Sequence, residues 1–147
     1  MGKFYVAEGN KRVSVMRYLK QPVIEADVTR LLPPHDDSRD MRIYEKFLQF
    51  YHSTAMYDLT FSDEECYDRL AEALGQHLDA PWPHLVVQKL KSAYDVFDRI
   101  YLEKKGDHFS MTPGDAFMIY LGRHRMFSLL EDSDQEIRRK MADFLIR

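Results

Sequence analysis

Apolar residues recur every three or four positions through most of the chain after residue 40, and this spacing predicts helices. The periodic stretches are residues 42–52, a helix beginning at Ser62, residues 84–105, a short helix after Thr112 and a last helix after Ser133. The stretch 84–105 is the longest and is expected to be the spine of the helical part. Its apolar positions are Val86, Leu90, Ala93, Phe97, Ile100 and Tyr101.

The starts of these helices are marked by polar residues that can accept hydrogen bonds from the first free amides. Ser62 and Ser133 are each followed three residues later by a glutamate, Glu65 and Glu136, which is the pattern of a capping box. Thr112 precedes a proline, which suits the first helical position. Capping and the helix dipole therefore explain the acidic residues at these starts, and we do not interpret them as catalytic.

The first third of the chain alternates apolar and polar residues with a period of two, which predicts strands. Residues 4–6 are a short aromatic and β-branched run. Residues 22–32 place Ile24, Ala26 and Val28 on one side of an extended segment, with acidic and hydroxyl side chains on the other. Two strands are therefore expected here, separated by a turn and a helix.

Residues 56–61 also alternate and supply a candidate for one more strand. The predicted fold is a single α+β domain over residues 1–147, mostly helical, with a small mixed sheet in the first third packed against about five helices. Residues 1–32 form its strand–turn–helix–strand element, and residues 40–147 form its mainly helical part.

The composition is that of a soluble globular protein, with 147 residues of which 45% are hydrophobic and 31% charged. The net charge of −3 disfavours binding of nucleic acid by broad neutralisation of phosphates. A single cysteine, Cys66, excludes a disulfide framework and a cysteine-rich metal site. No metal site is predicted elsewhere, because adjacent residues of the polar loop 35–37 rarely converge on one ion.

No apolar run approaches the length of about 18 residues that is needed to span a bilayer. No charged and then apolar leader opens the chain. A cytoplasmic protein without a membrane segment is therefore expected.

The candidate site is the turn after the first predicted strand. Asn10 is positioned to cap the following helix, and Lys11 and Arg12 lie beside the free amides at the positive end of its dipole. Glu8 and Gly9 form the turn itself. Such a corner is suited to an anion such as phosphate. The predicted phosphate-binding residues are Gly9, Asn10, Lys11, Arg12 and Ser14.

The strength of such a site is limited. Three charge-assisted hydrogen bonds of about 1.5 to 3 kcal/mol each leave a phosphate affinity in roughly the millimolar to micromolar range after ordering costs. The alternative is that Lys11 and Arg12 pair with Glu8, Glu25 or Asp27 and tie the helix to the next strand.

Residues 8–15 and 22–29 together resemble the ParB/sulfiredoxin-like superfamily, whose members have an acidic-Gly-x-basic-Arg turn between a strand and a helix, followed by a second strand. Residues 4–15, 42–48 and 112–116 look like the ParB-like N-terminal region of certain Firmicutes proteins that carry a basic-membrane-protein-type (BMP) substrate-binding domain further along. The resemblance implies a ParB/sulfiredoxin-like mixed sheet. It also implies one of two alternatives: the chain is a fragment of a longer protein, or its sheet is small and presents an edge that another chain or a later segment covers.

In that superfamily the residues matching Gly9, Lys11 and Arg12 contact nucleotide phosphates, and in kinase-like members the residue matching Glu8 assists a proton transfer or a metal. Sulfiredoxins carry a reactive cysteine in this turn where this chain has Asn10, so reduction of sulfinic acids is disfavoured. DNA-binding ParB proteins have two arginines and a helix-turn-helix domain. This chain has a Lys-Arg pair, and its prolines at 81 and 83 interrupt the place of a recognition helix.

The sequence therefore predicts a nucleotide- or phosphate-binding regulatory module, with a nucleoside triphosphate and magnesium as the implied ligand. Glu8 is the candidate catalytic residue for hydrolysis or phosphotransfer, but binding is favoured because no companion carboxylates can be nominated. The alternatives are a non-catalytic protein-interaction module that retains the turn structurally, and a DNA-associated ParB-like protein. A protein partner or a second copy is expected to pair with an exposed sheet edge. Nucleotide identity and oligomeric state stay open.

Overall fold

The structure, a computed structural model, describes residues 5–29, 31, 34–103 and 111–145, with side chains as far as residue 143. The chain divides into two units, Met1–Pro34 and His35–Arg147. We call the first the N-terminal segment and the second the helical body. Each is described by itself.

Within the described ranges the secondary structure is helical, and no β-strand occurs. The predicted α+β fold with a ParB/sulfiredoxin-like mixed sheet is therefore wrong. The described helices are α1 (Asn10–Tyr18), α2 (Arg39–Thr54), α3 (Glu65–Ala73), α4 (His84–Glu103), α5 (Pro113–Leu121), α6 (Ser128–Glu131) and α7 (Asp134–Leu145).

Helix α4 is the centre of the helical body and contacts α5, α6 and α7. The side chains of Leu90, Phe97, Ile100 and Tyr101 are completely buried at the spacing that the sequence predicts for one helical face. The Phe97 ring meets the ring of Phe117 in α5 at 5.3 Å between centroids, in an edge-to-face arrangement. The prediction that this stretch is the spine of the helical part is confirmed.

Helices α2 and α3 enclose the second half of the same core. Ser38 caps α2 by accepting a hydrogen bond from the Met41 amide at 3.2 Å, and the helix buries Phe47 and Phe50. Phe50 packs edge to face against Trp82 at 5.7 Å. The predicted helix 42–52 is confirmed and extends at both ends.

The connection between α2 and α3 is not the predicted strand 56–61. Leu59 and Phe61 are buried, as the alternation predicts, but the backbone pairs with no strand in the described part of the chain. Instead, the Phe61 amide donates to the hydroxyl of Tyr67 at 3.2 Å. The Met56 amide likewise donates to the Thr54 hydroxyl at 3.1 Å. Side chains therefore satisfy these backbone amides, and the period-two pattern does not signal a sheet.

The same connection is fixed against the beginning of α5. The Ser62 amide donates to the Asp115 carboxylate at 3.0 Å, and the Thr112 hydroxyl donates to the Thr60 carbonyl at 3.4 Å. A Cβ atom at Gly114 would lie 2.1 Å from the Thr60 carbonyl oxygen. Glycine is therefore required at this position because two backbones touch there.

Of the three caps predicted in the helical body, two are confirmed and one is wrong. Thr112 accepts from the Asp115 amide at 3.1 Å, and Ser133 accepts from the Glu136 amide at 3.3 Å. Ser62 does not cap α3.

Helix α3 begins at Glu65, whose amide donates to the Asp63 carboxylate at 2.9 Å. A carboxylate two residues before the helix thus replaces the predicted serine cap.

The N-terminal segment contains α1 and irregular backbone. The predicted strand 22–32 is wrong for its described residues, and within 4–6 the described residues Tyr5 and Val6 are not in a strand. The other residues of these two predictions, Phe4, Arg30 and Leu32, lie outside the described part.

In the described segment α1 is preceded by Gly9 at φ +84°, a left-handed conformation that glycine adopts easily. Asn10 is the first helical residue and does not cap the helix, so that prediction is wrong.

Candidate functional site

The predicted phosphate-binding turn lies in the N-terminal segment at the start of α1. The first helical hydrogen bond runs from the Val13 amide to the Gly9 carbonyl at 3.0 Å. The amides of Asn10, Lys11 and Arg12 therefore precede the first acceptor of the helix and point out of its end. Among the described residues they make no hydrogen bond.

The charged side chains of this turn are exposed. Within the described chain, Lys11 and Arg12 form no ion pair with Glu8, Glu25 or Asp27. The alternative that these pairs tie α1 to the next segment is therefore wrong for the described structure.

The predicted members do not form an enclosed pocket. Glu8, Gly9, Asn10 and the two basic residues are all exposed. Ser14 is also exposed and lies in the next turn of the helix. The arrangement offers amides and cations to an anion from one side, in contact with water, where salt screens the attraction.

Glu8 has no catalytic companion in the described structure. No group of three or more His, Cys, Asp or Glu side chains there is arranged to hold a metal ion. Phosphoryl transfer needs carboxylates that hold magnesium around the phosphates.

The helical body carries a cluster that the sequence analysis missed. Asp95 and Asp98 are three residues apart on α4, and Tyr94 lies one turn before Asp98. Burial raises the pKa of the Asp98 carboxyl, and the charges of Asp58 and Asp95 raise it further. Burial also raises the pKa of the Tyr94 phenol, with the charges of the same three carboxylates adding to it. We call Asp58, Asp95 and Asp98 the acidic cluster.

The sequence contains a spacing signal for two of the three carboxylates of this cluster. The pattern Tyr94-Asp95-x-x-Asp98 places two carboxylates beside an inward-facing aromatic residue. Asp58 belongs to the connection after α2, and its approach to α4 depends on tertiary packing. Sequence spacing could not have found it.

A second set of polar residues links α5, α6 and α7. The Tyr120 and Ser128 hydroxyls are 3.2 Å apart, and Lys140 forms an ion pair with Asp132. That pairing raises the pKa of Lys140, which keeps the amine protonated and unsuited to nucleophilic attack. Burial chiefly lowers the pKa of the neighbouring His124. We interpret this group as a structural link between helices.

Cys66 is equally unsuited to chemistry. Its side chain is buried, and the Arg69 guanidinium donates to the sulfur at 2.9 Å. Burial raises the pKa of the thiol despite that cation. A protonated, buried thiol is inert.

One surface depression of about 440 Å³ lies at the end of α2 near the connection to α4. Its volume is in the range of ligand sites. The residues that line it are Gln49, His77, Leu78 and Asp79. Only one of them is apolar, whereas small-molecule sites are mostly apolar and enclosed.

The described helices include none that combines the length and the apolar character needed to cross a bilayer. No protein-family model, curated protein or solved structure matches the chain.

Proposed function

We propose that this protein is a helical protein-interaction module and that its N-terminal segment is a binding element. The observation that carries the proposal is the exposure of this segment. None of its described residues is buried, although many are large and apolar. Tyr5, Tyr18 and Leu31 are 84%, 86% and 88% exposed. The other large apolar side chains exposed there are Val6, Val15, Leu19, Val23, Ile24 and Val28.

The exposed apolar side chains of this segment favour binding to a partner, because a partner would remove them from water. Each large side chain that a partner covers contributes roughly 1.5 to 3 kcal/mol of transfer free energy. Large exposed apolar areas are typical of interaction sites. Helix α1 has nine residues, and isolated helices of that length are marginal in water. A partner that packs against α1 would therefore also stabilise the helix.

A site-specific cross-link tests this proposal. A photoreactive phenylalanine analogue replaces Tyr18 in the full chain, and the same analogue replaces Leu85, an exposed apolar residue of α4, as the matched control. We expect the analogue at position 18 to give a single cross-linked product with a partner protein, and this product should be lost when the substitution Leu19→Asp is introduced into the same chain. The analogue at position 85 should give no such product. A smear from both positions, or an adduct that Leu19→Asp leaves unchanged, would contradict the proposal.

The second candidate function is phosphate or nucleotide binding at the turn of Gly9. It is supported by the unengaged amides of residues 10–12 and by Lys11 and Arg12, which pair with no carboxylate in the described chain. The left-handed Gly9 followed by right-handed residues also gathers successive amides into a concave surface, which favours anions.

Amide chemical shifts test the second candidate directly. Inorganic phosphate and each nucleoside triphosphate, with and without magnesium, are titrated to about 10 mM, which covers the weak affinity expected of such a turn. Shifts of residues 9–12 that disappear in Arg12→Ala and persist in Arg17→Ala would support it. Amide chemical shifts that stay unchanged throughout the titrations would exclude phosphate or nucleotide binding at this turn.

A cytoplasmic location of the protein stays a prediction.

A further inference from the structure

Two stretches of the chain alternate apolar and polar residues, but they differ in how their backbones are satisfied. In the connection after α2, side chains accept hydrogen bonds from the amides of Met56 and Phe61. Residues 23–29 of the N-terminal segment make no hydrogen bond within the described chain. All of them are exposed and belong to no helix or strand. Their backbone donors and acceptors are therefore available to a partner.

The composition of residues 23–29 suits a strand. Four of these seven residues, Val23, Ile24, Val28 and Thr29, are β-branched. The stretch contains neither glycine nor proline, and Pro22 precedes it at a position that strands tolerate. Its length is also usual for a strand. What the stretch lacks is a neighbouring strand with which to exchange hydrogen bonds.

In a strand, this stretch has two different faces. Ile24, Ala26 and Val28 share one face, and Glu25 and Asp27 share the other, because side chains alternate along a strand. The apolar side chains are open to water in the described structure. Neither carboxylate forms an ion pair within the described chain. A fitting partner therefore covers the apolar face and neutralises the acidic one.

The chain itself offers no such neighbour. The described part of the helical body contains no β-strand, so neither that body nor the body of a second copy presents a sheet edge there. The same stretch of a second copy is a poor neighbour. In the longest antiparallel register that matches the two apolar faces, Glu25 of one copy lies opposite Asp27 of the other. Like charges that face each other across a strand pair are destabilising, so a different protein is favoured.

The open edge of a β-sheet in another protein meets these requirements. Such an edge presents unpaired amides and carbonyls, and natural edge strands often carry lysine. Lysines on one face of the edge neutralise Glu25 and Asp27, and the apolar face of the sheet continues over Ile24, Ala26 and Val28. Addition of an extended peptide to a sheet edge is a general mode of peptide recognition.

We propose that residues 23–29 add as a strand to the open edge of a β-sheet in another protein, an edge with lysine or arginine on one face and apolar residues on the other. The inference rests on the proposed function, because it gives the chemistry of the partner of the N-terminal segment. Backbone hydrogen bonds from every second residue hold the strand, and the charge pairs select the edge. The stretch is a strand only in the complex, because its hydrogen-bond partner is there.

The first experiment measures amide hydrogen exchange of the full chain by nuclear magnetic resonance, alone and with a designed probe. The probe is a small three-stranded antiparallel sheet whose open edge alternates valine and lysine, added to about 1 mM. We expect every second amide of residues 23–29 to exchange at least about threefold more slowly, because only alternate amides of an edge strand face the neighbour. A matched probe with glutamate in place of lysine should give no such slowing, since it repels Glu25 and Asp27.

Substitutions at Ala26 separate backbone pairing from contacts of side chains alone. Ala26→Pro removes an amide in the middle of the stretch and should abolish the slowing. Ala26→Ser is the matched control, because it changes the side chain but keeps the amide, and it should retain the slowing. Ala26 is exposed, so the helical body should fold in both variants, as circular dichroism can verify.

A charge reversal tests the choice of edge. The variant with Glu25→Lys and Asp27→Lys should bind the lysine probe more than about tenfold more weakly than the wild type does, and it should bind the glutamate probe instead. The matched control carries Glu72→Lys and Asp79→Lys, which reverse two exposed charges of the helical body. This control should keep the preference of the wild type for the lysine probe.

The outcomes separate this inference from the proposed function. Uniform slowing, no slowing with the lysine probe, or an equal response to both probes overturns the inference. Alternate slowing in the chain alone at high concentration also overturns it, because a second copy would then be the neighbour. The cross-link at position 18 reports separately. A product in which residues 23–29 exchange as fast as in the free chain retains the proposed function and overturns the inference, whereas alternate slowing in that product supports both.

Discussion

Helices α1 and α5 have the same length, nine residues each, but they differ in capping and in the number of residues that they bury. Helix α5 begins at a threonine cap and buries Ala116, Phe117 and Tyr120. Helix α1 has no side-chain cap and buries no residue. Because nine residues supply little helix stability of their own, packing and capping must supply it in α5. Helix α1 has neither within the described segment, which is why we assign its exposed side chains to binding.

The largest test of this difference is removal of one large side chain from each helix. We expect Phe117→Ala to lower the free energy of unfolding by about 3 to 5 kcal/mol, because the ring is completely buried and leaves a cavity. Tyr18→Ala should change it by less than about 0.5 kcal/mol, since Tyr18 is exposed. Urea unfolding followed by the fluorescence of the buried Trp82 measures both. Equal effects of the two substitutions would contradict the comparison.

The next test uses the glycines at the two ends of α5, Gly114 in its first turn and Gly122 at its C-cap. Gly114→Ala should destabilise the helical body by about 3 kcal/mol, because the new Cβ would lie 2.1 Å from the Thr60 carbonyl oxygen. Gly122→Ala is the matched control, since its Cβ would have 3.5 Å to the nearest backbone atom and its φ of −67° suits any residue. Thermal unfolding measured by circular dichroism compares the two. A harmless Gly114→Ala would mean that the connection after α2 is not held against α5.

The caps provide a smaller contrast. Thr112→Ala should cost about 1 kcal/mol of unfolding free energy, because the Asp115 amide loses its acceptor. Asn10→Ala should be neutral, since Asn10 makes no capping hydrogen bond to its helix. Both are measured by the midpoint of urea unfolding. A loss of helix signal in Asn10→Ala would restore the cap that the sequence predicts.

The sequence predicted the helical body well because its signals are local. Periodic apolar residues and the Thr112 cap require only neighbouring positions, and both are found where expected. The sheet failed for a physical reason. Alternation at residues 56–61 and 22–32 indicates extended backbone, but a strand also needs a neighbour to receive its hydrogen bonds. At Phe61 that partner is a tyrosine hydroxyl.

The two candidate sites differ in the same respect, because one is formed by neighbouring residues and the other by residues that are distant in sequence. The turn at Gly9 is local, and the sequence located both its exposed basic residues and the helix that follows. The acidic cluster unites Asp58 with two residues of α4 that are distant in sequence. Its existence follows from how the connection after α2 packs, and single-sequence periodicity carries no information on that.

The smallest expected effect distinguishes repulsion within the acidic cluster from the general effect of net charge. Asp98→Asn should stabilise the helical body at neutral pH by about 0.2 to 0.5 kcal/mol, the size of a like-charge helical pair. Burial, Asp58 and Asp95 raise the pKa of Asp98 in the folded state, so folding binds protons and wild-type stability falls as pH rises from 3.8 through the raised pKa. The asparagine variant lacks this loss. Its advantage should vanish below the ordinary pKa and be complete at neutral pH, as measured by urea unfolding between about pH 3 and pH 8. If the exposed Asp79→Asn gives the same pH-dependent gain, net charge alone is responsible.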